Sequence, residues 1–268
     1  LFEFWNERMF LVDRQQPNRL RFSAVSPHPL DADPSLGVHG AHPEIFPDLF
    51  FTDVGGQGPI TALVPWGNRL WIFKDHEIYT LVGTSVEDFS VVKVADGIGA
   101  VGPNAALATS EGIYFVGADD HARCWFWDGA TAQPISHPID EILRADSDMT
   151  LVPVFALTGY DNTDFAGPLR RPCITFASVT RYRDEIWFTI PRTTTNNHAP
   201  TAGSAGLEDW PENVRIYIYS TIAKSWTIYE PATRGFAVHM VGNGWGGSRP
   251  AWARRAGDGA GANFLCVA

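Results

Sequence analysis

The feature that most constrains the fold is a short segment that occurs four times along the chain. In each copy, a polar turn precedes an apolar, strand-like run, and most copies carry a Trp or Tyr ahead of the turn. Residues 4–12 align without a gap with residues 65–73; residues 181–189 form a third copy, and residues 109–116 a fourth with a shorter lead-in. Self-similarity of this kind indicates a repeat architecture.

Each copy is followed by a second strand-like run rich in aromatic and β-branched residues, which we interpret as an outer strand. These runs lie at residues 18–25, 77–83, 123–129 and 215–220, the last followed by 224–230. No long stretch has the 3.6-residue period of a helix, whereas Gly, Pro, Asn and Asp punctuate the apolar runs. The 10 Trp and 17 Phe suit sheets packed face to face. The sequence predicts one all-β domain over residues 1–268, a β-propeller of about five or more antiparallel four-stranded blades.

The spacing of the copies predicts long loop insertions. Equivalent apolar positions are 61, 43 and 73 residues apart, and only the middle value matches the roughly 40 to 50 residues of a typical blade. We place insertions at residues 26–58, 146–172 and 193–211. A fifth unit is predicted to start at residues 235–238 and to close at residues 263–267, with a glycine-rich stretch at 242–262 between them.

Two shorter segments connect the predicted blades. Residues 136–144 combine a potential Ser136 cap, an early Pro138, acidic residues in the first turn and apolar residues on one face, which predicts a short helix between blades. The glycine-rich run 97–102 follows a strand, but Pro103 comes next rather than a helix. We therefore interpret it as a connecting loop and not as a dinucleotide pocket.

Charge and cysteine content narrow the function classes. A formal net charge of −10 argues against specific nucleic-acid binding, since that affinity comes largely from Lys and Arg. The cysteines Cys124, Cys173 and Cys266 are odd in number and far apart, which favours reduced thiols over a disulfide framework. No apolar run reaches the roughly 18 residues of a membrane span, so we expect a soluble protein. Because the chain starts at Leu1 without a Met, we expect it to be part of a longer or processed product.

Two histidines stand among acidic residues, a composition that could serve a metal or acid-base site. His76 lies between Asp75 and Glu77, and His121 follows Asp119 and Asp120. Neighbours on a strand point to opposite faces, so these side chains are not expected to converge on one ion, and a hairpin turn is the favoured interpretation. No nucleophile elbow, Walker loop or zinc-protease helix is present. We assign no catalytic, cofactor-binding or metal-binding residue.

Tryptophans in loop-like stretches leave a carbohydrate-binding surface open as an alternative. Trp210, Trp245 and Trp252 lie in such stretches, although aromatic residues there more often pack within loops or against a partner subunit. The other seven tryptophans fall in strand patterns and are expected in the core. Paired acids for glycoside hydrolysis also stay open, because a sequence does not give the separation of two carboxylates.

Residues 18–23, 58–63, 68–74, 78–79, 97–103, 112–116 and 127–129 together resemble the propeller region of bacteriophage tail proteins, of the tail tubular or nozzle type. The resemblance covers residues 1–145 well and the remainder loosely, and its motifs are strands and turns. It implies a structural virion protein, made in the host cytoplasm and located in the tail. Copies would ring the tail axis and contact adaptor and fibre proteins, and DNA would pass without specific binding. An acidic wall is compatible with such a conduit, because it repels DNA.

The sequence thus leaves three functional hypotheses open. In the first, the chain is a non-enzymatic tail protein whose insertions contact neighbouring subunits or other tail proteins. In the second, it is a propeller that binds or hydrolyses glycans. In the third, it is a cellular interaction scaffold, which uses its surfaces as the first does and is not separated from it by sequence.

Overall fold

In a computed structural model, the structure describes residues 1–13, 15–24, 46–147, 151–153, 170–191, 214–229, 236–239 and 252–255. Four antiparallel sheets of four strands each dominate this part of the chain, and in every one the strands lie side by side in chain order. The all-β propeller prediction is confirmed.

The first two sheets lie N-terminal to the glycine-rich run. Blade 1 consists of β1 (Phe2–Trp5), β2 (Arg8–Val12), β3 (Arg19–Phe22) and β4 (Phe51–Asp53). Blade 2 consists of β5 (Ala62–Trp66), β6 (Arg69–Phe73), β7 (Glu77–Val82) and β8 (Ser90–Asp96).

The other two four-stranded sheets are separated by helical turns and a strand pair. Blade 3 consists of β9 (Ala106–Ala108), β10 (Ile113–Ala118), β11 (Ala122–Trp127) and β12 (Ala132–Pro134). Helix α1 (Asp140–Asp146) and the pair β13 (Leu151–Pro153) and β14 (Arg170–Pro172) follow. Blade 4 consists of β15 (Ser178–Tyr182), β16 (Glu185–Pro191), β17 (Val214–Ser220) and β18 (Trp226–Tyr229), and a second pair joins β19 (Phe236–His239) to β20 (Trp252–Arg255).

The four sequence repeats are the first hairpins of the four blades. In blades 1, 2 and 4 a two-residue loop joins the strands, and its first residue is left-handed: Asn6 (φ 49°), Gly67 (φ 62°) and Arg183 (φ 54°). A positive φ at this place matches the twist of a tight hairpin. The segment that repeats in the sequence is therefore a hairpin turn with its two flanking strands.

The interpretation of the second runs as outer strands is wrong for four of them and confirmed for the run at 224–230. The four form β3, β7, β11 and β17, each the third strand of its blade, whereas 224–230 contains β18; the outermost strands are β4, β8, β12 and β18. The proposed insertion at 26–58 contains β4, and the one at 146–172 contains β13 and β14; residues 193–211 lie outside the described residues. Three-residue strands such as β4 and β12 carry too few residues to show an alternating pattern.

The core lies between the blades. The first strands β1, β5, β9 and β15 lie next to one another in succession, so the sheets radiate from them and pack face to face. Three apolar clusters fill the three seams between consecutive blades. At the seam between blades 2 and 3, the buried rings of Trp71 and Trp127 meet with centroids 5.6 Å apart. All seven strand tryptophans lie in strands, but the expectation that they lie in the core is confirmed only for Trp71 and Trp127, since the other five are half-buried.

The glycine-rich run connects blades 2 and 3, as predicted. The N–H of Ala100 donates to the carbonyl of Lys74 (3.0 Å), and that of Val101 donates to the carbonyl of Val116 (3.0 Å). A Cβ at Gly99 would stand 1.9 Å from the Lys74 carbonyl oxygen, and one at Gly102 would stand 2.1 Å from that of Thr175. Glycine is required here because backbone passes directly over backbone.

The predicted inter-blade helix is present with a different cap. A 3₁₀ turn over His137–Ile139 leads into α1, but the Ser136 side chain makes no capping bond. Its hydroxyl accepts from the N–H of Cys124 instead (3.2 Å), a residue of β11. Strand β19 starts where the fifth unit was expected, β20 falls within its glycine-rich stretch, and residues 263–267 lie outside the described residues. None of the helices that the structure describes is long and apolar enough to cross a membrane.

Candidate functional site

Charged side chains gather at one end of blades 2 and 3, where the turns between their second and third strands meet. The β6–β7 turn carries Asp75 and His76, and the β10–β11 turn carries Asp119, Asp120 and His121. The hairpin-turn interpretation of both histidine segments is thus confirmed. We call this group of turns, together with the neighbouring Arg123, Asp140 and Arg144, the charged end.

A shallow cleft lies within the charged end. It is lined by both turns, by the connector at Gly97 and Gly99, and by Arg123 and Trp125. The volume open to a water-sized sphere is about 10 Å³, which is room for one water molecule.

The triplet around His76 does not form one site. His76 Nδ1 lies 3.6 Å from Asp119 Oδ1, with both side chains more than half exposed. Glu77 instead accepts hydrogen bonds from Lys93 Nζ (2.7 Å) and Tyr79 OH (3.1 Å). The Lys93 ammonium lowers the pKa of the Glu77 carboxyl. Glu77 therefore engages groups on β7 and β8 and does not join His76.

His121 is a buried residue held between two carboxylates. Its Nδ1 lies 2.5 Å from Asp120 Oδ1 and its Nε2 3.2 Å from Asp140 Oδ1, and the ring is 1% exposed. A neutral imidazole has only one N–H, so both contacts are hydrogen bonds only if the ring is protonated or a carboxyl carries the proton. Arg144 Nη1 also donates to Asp120 Oδ2 (2.8 Å). The group fastens the β10–β11 turn to α1.

The charged end does not assemble a metal site from its acids and histidines. Over the residues with described side chains, no three His, Cys, Asp or Glu groups come together in a way that could hold an ion. Cys124 is a buried free thiol whose pKa is raised by burial. The side chains at the charged end pair with one another across the turns.

Of the loop tryptophans considered for sugar binding, Trp210 and Trp245 lie outside the described residues. Trp252 does not lie in a loop: it begins β20 and pairs with His239 of β19. Strand β20 is only four residues long and lies in a glycine-rich stretch, so the sequence around Trp252 resembles that of a loop.

Sequence reasoning missed two buried polar groups at the blade seams. Lys74 is fully buried, and its Nζ donates to Asn18 Oδ1 (3.1 Å), the Gly58 carbonyl (3.1 Å) and the Val54 carbonyl (3.4 Å). Burial lowers the pKa of its ammonium group. We call these four residues the Lys74 lock, because they join blade 2 to blade 1 and to the connector between them. The sequence feature that could have revealed this buried lysine is its position directly after an apolar strand.

The second group lies between α1 and blade 4. The Asp146 carboxylate accepts hydrogen bonds from the Arg215 guanidinium and from the Tyr217 hydroxyl. All three residues are buried, and burial together with the Asp146 hydrogen bond raises the pKa of Tyr217. We call these residues the Asp146 lock. Its members are about 70 positions apart in the sequence, and no local pattern marks them.

Comparison with known proteins identifies no family for this chain. No family model matches the chain, and no curated protein does. Among solved structures, a chain of the S. cerevisiae Dbp5–Nup159–Gle1 complex is 12% identical with a TM-score of 0.42, covering 86% of this chain and 46% of that one. Synechocystis apocarotenoid oxygenase is 9% identical with a TM-score of 0.40, covering 99% and 57%. The chain thus spans about half the length of the structures it matches.

Proposed function

We propose that this chain is a structural protein of a bacteriophage tail, of the tail tubular or nozzle type, in which several copies form a ring around the DNA conduit. The observation that carries the proposal is where the resembling residues fall in the fold. Those at 18–23, 68–74 and 112–116 form strands whose side chains fill the blade seams, with Leu20, Phe73 and Phe115 fully buried. Such residues hold a scaffold together and do not contact a substrate.

The charged end supports a scaffold role. Its ionisable side chains pair across neighbouring elements, with His121 between Asp120 and Asp140, and Arg144 on Asp120. Charges engaged in this way fix the position of turns and helix α1. We therefore assign no catalytic residue and no cofactor.

The charge of the chain suits a conduit wall. At −10 the protein repels the phosphate backbone, so that DNA slides past without adhering. Partners in this assembly are further copies, adaptor and fibre proteins, and DNA in transit.

The test is to look for the protein in the particle. Peptide mass spectrometry of purified virions should detect the chain at several copies per particle, and gold-labelled antibody should mark the tail. A chain that is made during infection but is absent from washed particles would contradict the proposal. Binding of the purified protein to an oligosaccharide array would then favour the glycan hypothesis.

A further inference from the structure

Helix α1 is held by a carboxylate at each of its ends. Its last residue, Asp146, binds blade 4 through the Asp146 lock. Its first residue, Asp140, faces the β10–β11 turn of blade 3, where its Oδ1 lies 3.2 Å from Nε2 of His121. The helix therefore bridges blades 3 and 4, and His121 holds its N-terminal end.

Both ring nitrogens of His121 face carboxylate oxygens, which fixes how many protons the group needs. Nε2 faces Asp140, and Nδ1 lies 2.5 Å from Asp120 Oδ1. An ionised carboxylate only accepts hydrogen bonds, so each nitrogen must carry a proton to satisfy both contacts. A neutral ring would direct the lone pair of one nitrogen at a carboxylate oxygen, which is repulsive.

An arginine beside each carboxylate favours the proton's place on the ring. Arg144 Nη1 donates to Asp120 Oδ2 (2.8 Å), and Arg123 Nε lies 3.7 Å from Asp140 Oδ1. A nearby cation favours the ionised form of a carboxyl group. The hydrogen bond with His121 also lowers the pKa of Asp120. The imidazole is thus the group that holds the extra proton.

The charges around the ring give the same assignment. Asp119 Oδ2 lies 4.0 Å from Arg123 Nη1, and Asp119 Oδ1 lies 3.6 Å from the exposed His76. The thiol of Cys124 adds no charge, because burial raises its pKa. Apart from His76, a protonated ring gives three cations against three carboxylates among the described side chains: His121, Arg123 and Arg144 against Asp119, Asp120 and Asp140.

We infer that His121 is a pH-sensitive latch, which holds the N-terminal end of α1 to blade 3 when both ring nitrogens are protonated and releases it when the ring is neutral. Imidazole is the side chain whose charge ordinarily changes between pH 5 and pH 8. The contact with Asp140 is the longer of the two, so we expect it to break first. The Asp146 lock still holds the other end of α1, so the release is a local opening. The inference does not rest on the proposed function.

Nuclear magnetic resonance of the wild-type protein labelled with nitrogen-15 at histidine tests the protonation state. The ring of His121, assigned through its own backbone, should carry a proton on both nitrogens at about pH 7. This measurement needs no variant. A ring with a single N–H at that pH would place the extra proton on a carboxyl group and overturn the inference.

Hydrogen exchange followed by mass spectrometry tests the latch itself. Because the folded protein holds a proton that a neutral ring lacks, the latch should weaken as the pH rises. Between about pH 5.5 and about pH 8.5, the amide protection factors of α1 and of the β10–β11 turn should fall about tenfold in the wild type, as for the loss of one hydrogen bond to a charged group. His121→Gln keeps an N–H donor but does not titrate, so its protection factors should stay constant.

His76→Gln is the matched control, because His76 lies at the same end of the molecule with a side chain more than half exposed. It should respond to pH as the wild type does. An equal fall in the wild type and in His121→Gln, or no fall in the wild type, overturns the latch. A response that only His76→Gln abolishes assigns the switch to His76 and overturns it as well. None of these outcomes bears on whether the protein is found in phage particles, so the proposed function is tested separately.

Discussion

The Lys74 lock and the Asp146 lock each join a blade to the element beside it, and each is buried. The central side chain is a cation in the first and an anion in the second. In the first, one ammonium group is held by three neutral oxygens. In the second, a carboxylate faces a guanidinium and a phenol. Removing the central side chain therefore leaves neutral acceptors without this donor at one seam, and at the other it takes a carboxylate away from a buried guanidinium.

Burial alone therefore does not set the free-energy cost of breaking a seam between blades. An unpaired buried charge costs more than an unpaired carbonyl, because its loss of hydration is much larger. We therefore expect the seam at blade 4 to depend more strongly on one residue than the seam between blades 1 and 2.

The largest effect is expected for Asp146→Ala. The substitution removes the Asp146 carboxylate from the buried Arg215 guanidinium, and the free energy of unfolding should fall by about 3–5 kcal/mol. Urea denaturation measures it. Asp146→Asn keeps an acceptor for both donors and should lose clearly less. A loss of under about 1 kcal/mol in the alanine variant would remove the contrast between the two locks.

A smaller loss is expected for Lys74→Met. Methionine fills much of the volume and leaves three oxygens without a donor, so the free energy of unfolding should fall by about 1–3 kcal/mol. The same urea experiment applies. A loss equal to or greater than that of Asp146→Ala would show that the neutral lock is the stronger one.

The pH dependence of the Lys74 lock sharpens the same comparison. The pKa of Lys74 is lowered in the folded protein by burial, so between that value and the ordinary value near 10.4 the unfolded chain binds more protons. Stability must then rise with pH across that interval. We expect the wild type to gain stability relative to Lys74→Met as the pH rises towards about 10.4, the ordinary lysine pKa. Parallel curves for the two proteins would contradict the assignment.

Gly99→Ala tests the seam between blades 2 and 3, which neither lock holds. The new methyl group would meet the Lys74 carbonyl oxygen at 1.9 Å, and overpacking of this kind costs about 1–3 kcal/mol. Gly55→Ala is the matched control, since a Cβ there meets nothing within 4 Å. If both variants melt at the wild-type temperature, the connector does not constrain the seam.

The smallest effect is expected for Asp53→Ala. Its carboxylate pairs with Arg19 (2.8 Å) but is 59% exposed, and exposed ion pairs contribute little to stability. The urea midpoint should stay within experimental error of the wild type. A shift comparable to that of Lys74→Met would mean that ion pairs on blade 1 matter as much as buried locks.

The sequence predicts those parts of the fold whose pattern lies within a few neighbouring residues. The first hairpins were found because a Trp or Tyr, a two-residue turn and an apolar strand lie within nine residues, as in residues 65–73. The outer strands were misassigned because β4 is three residues long and stands after a long loop, where alternation is too short to recognise. The helix at 137–146 was located correctly, but the partner of Ser136 is a strand residue that sequence proximity does not reveal.

The candidate site was less predictable than the fold. The expectation that Glu77 does not join His76 is confirmed, but His76 lies in the β6–β7 turn, so alternation along a strand was not the physical reason. The neighbours of His121 could not be anticipated in full, because Asp140 comes from a helix that packs onto the turn only in the folded protein. The same holds for Asp146 and Arg215, which the fold brings together from positions 69 residues apart.

Cryo-electron microscopy of the purified wild-type protein tests the central claim most directly. The account predicts closed rings of identical subunits. Particles of a single chain at every protein concentration would contradict it.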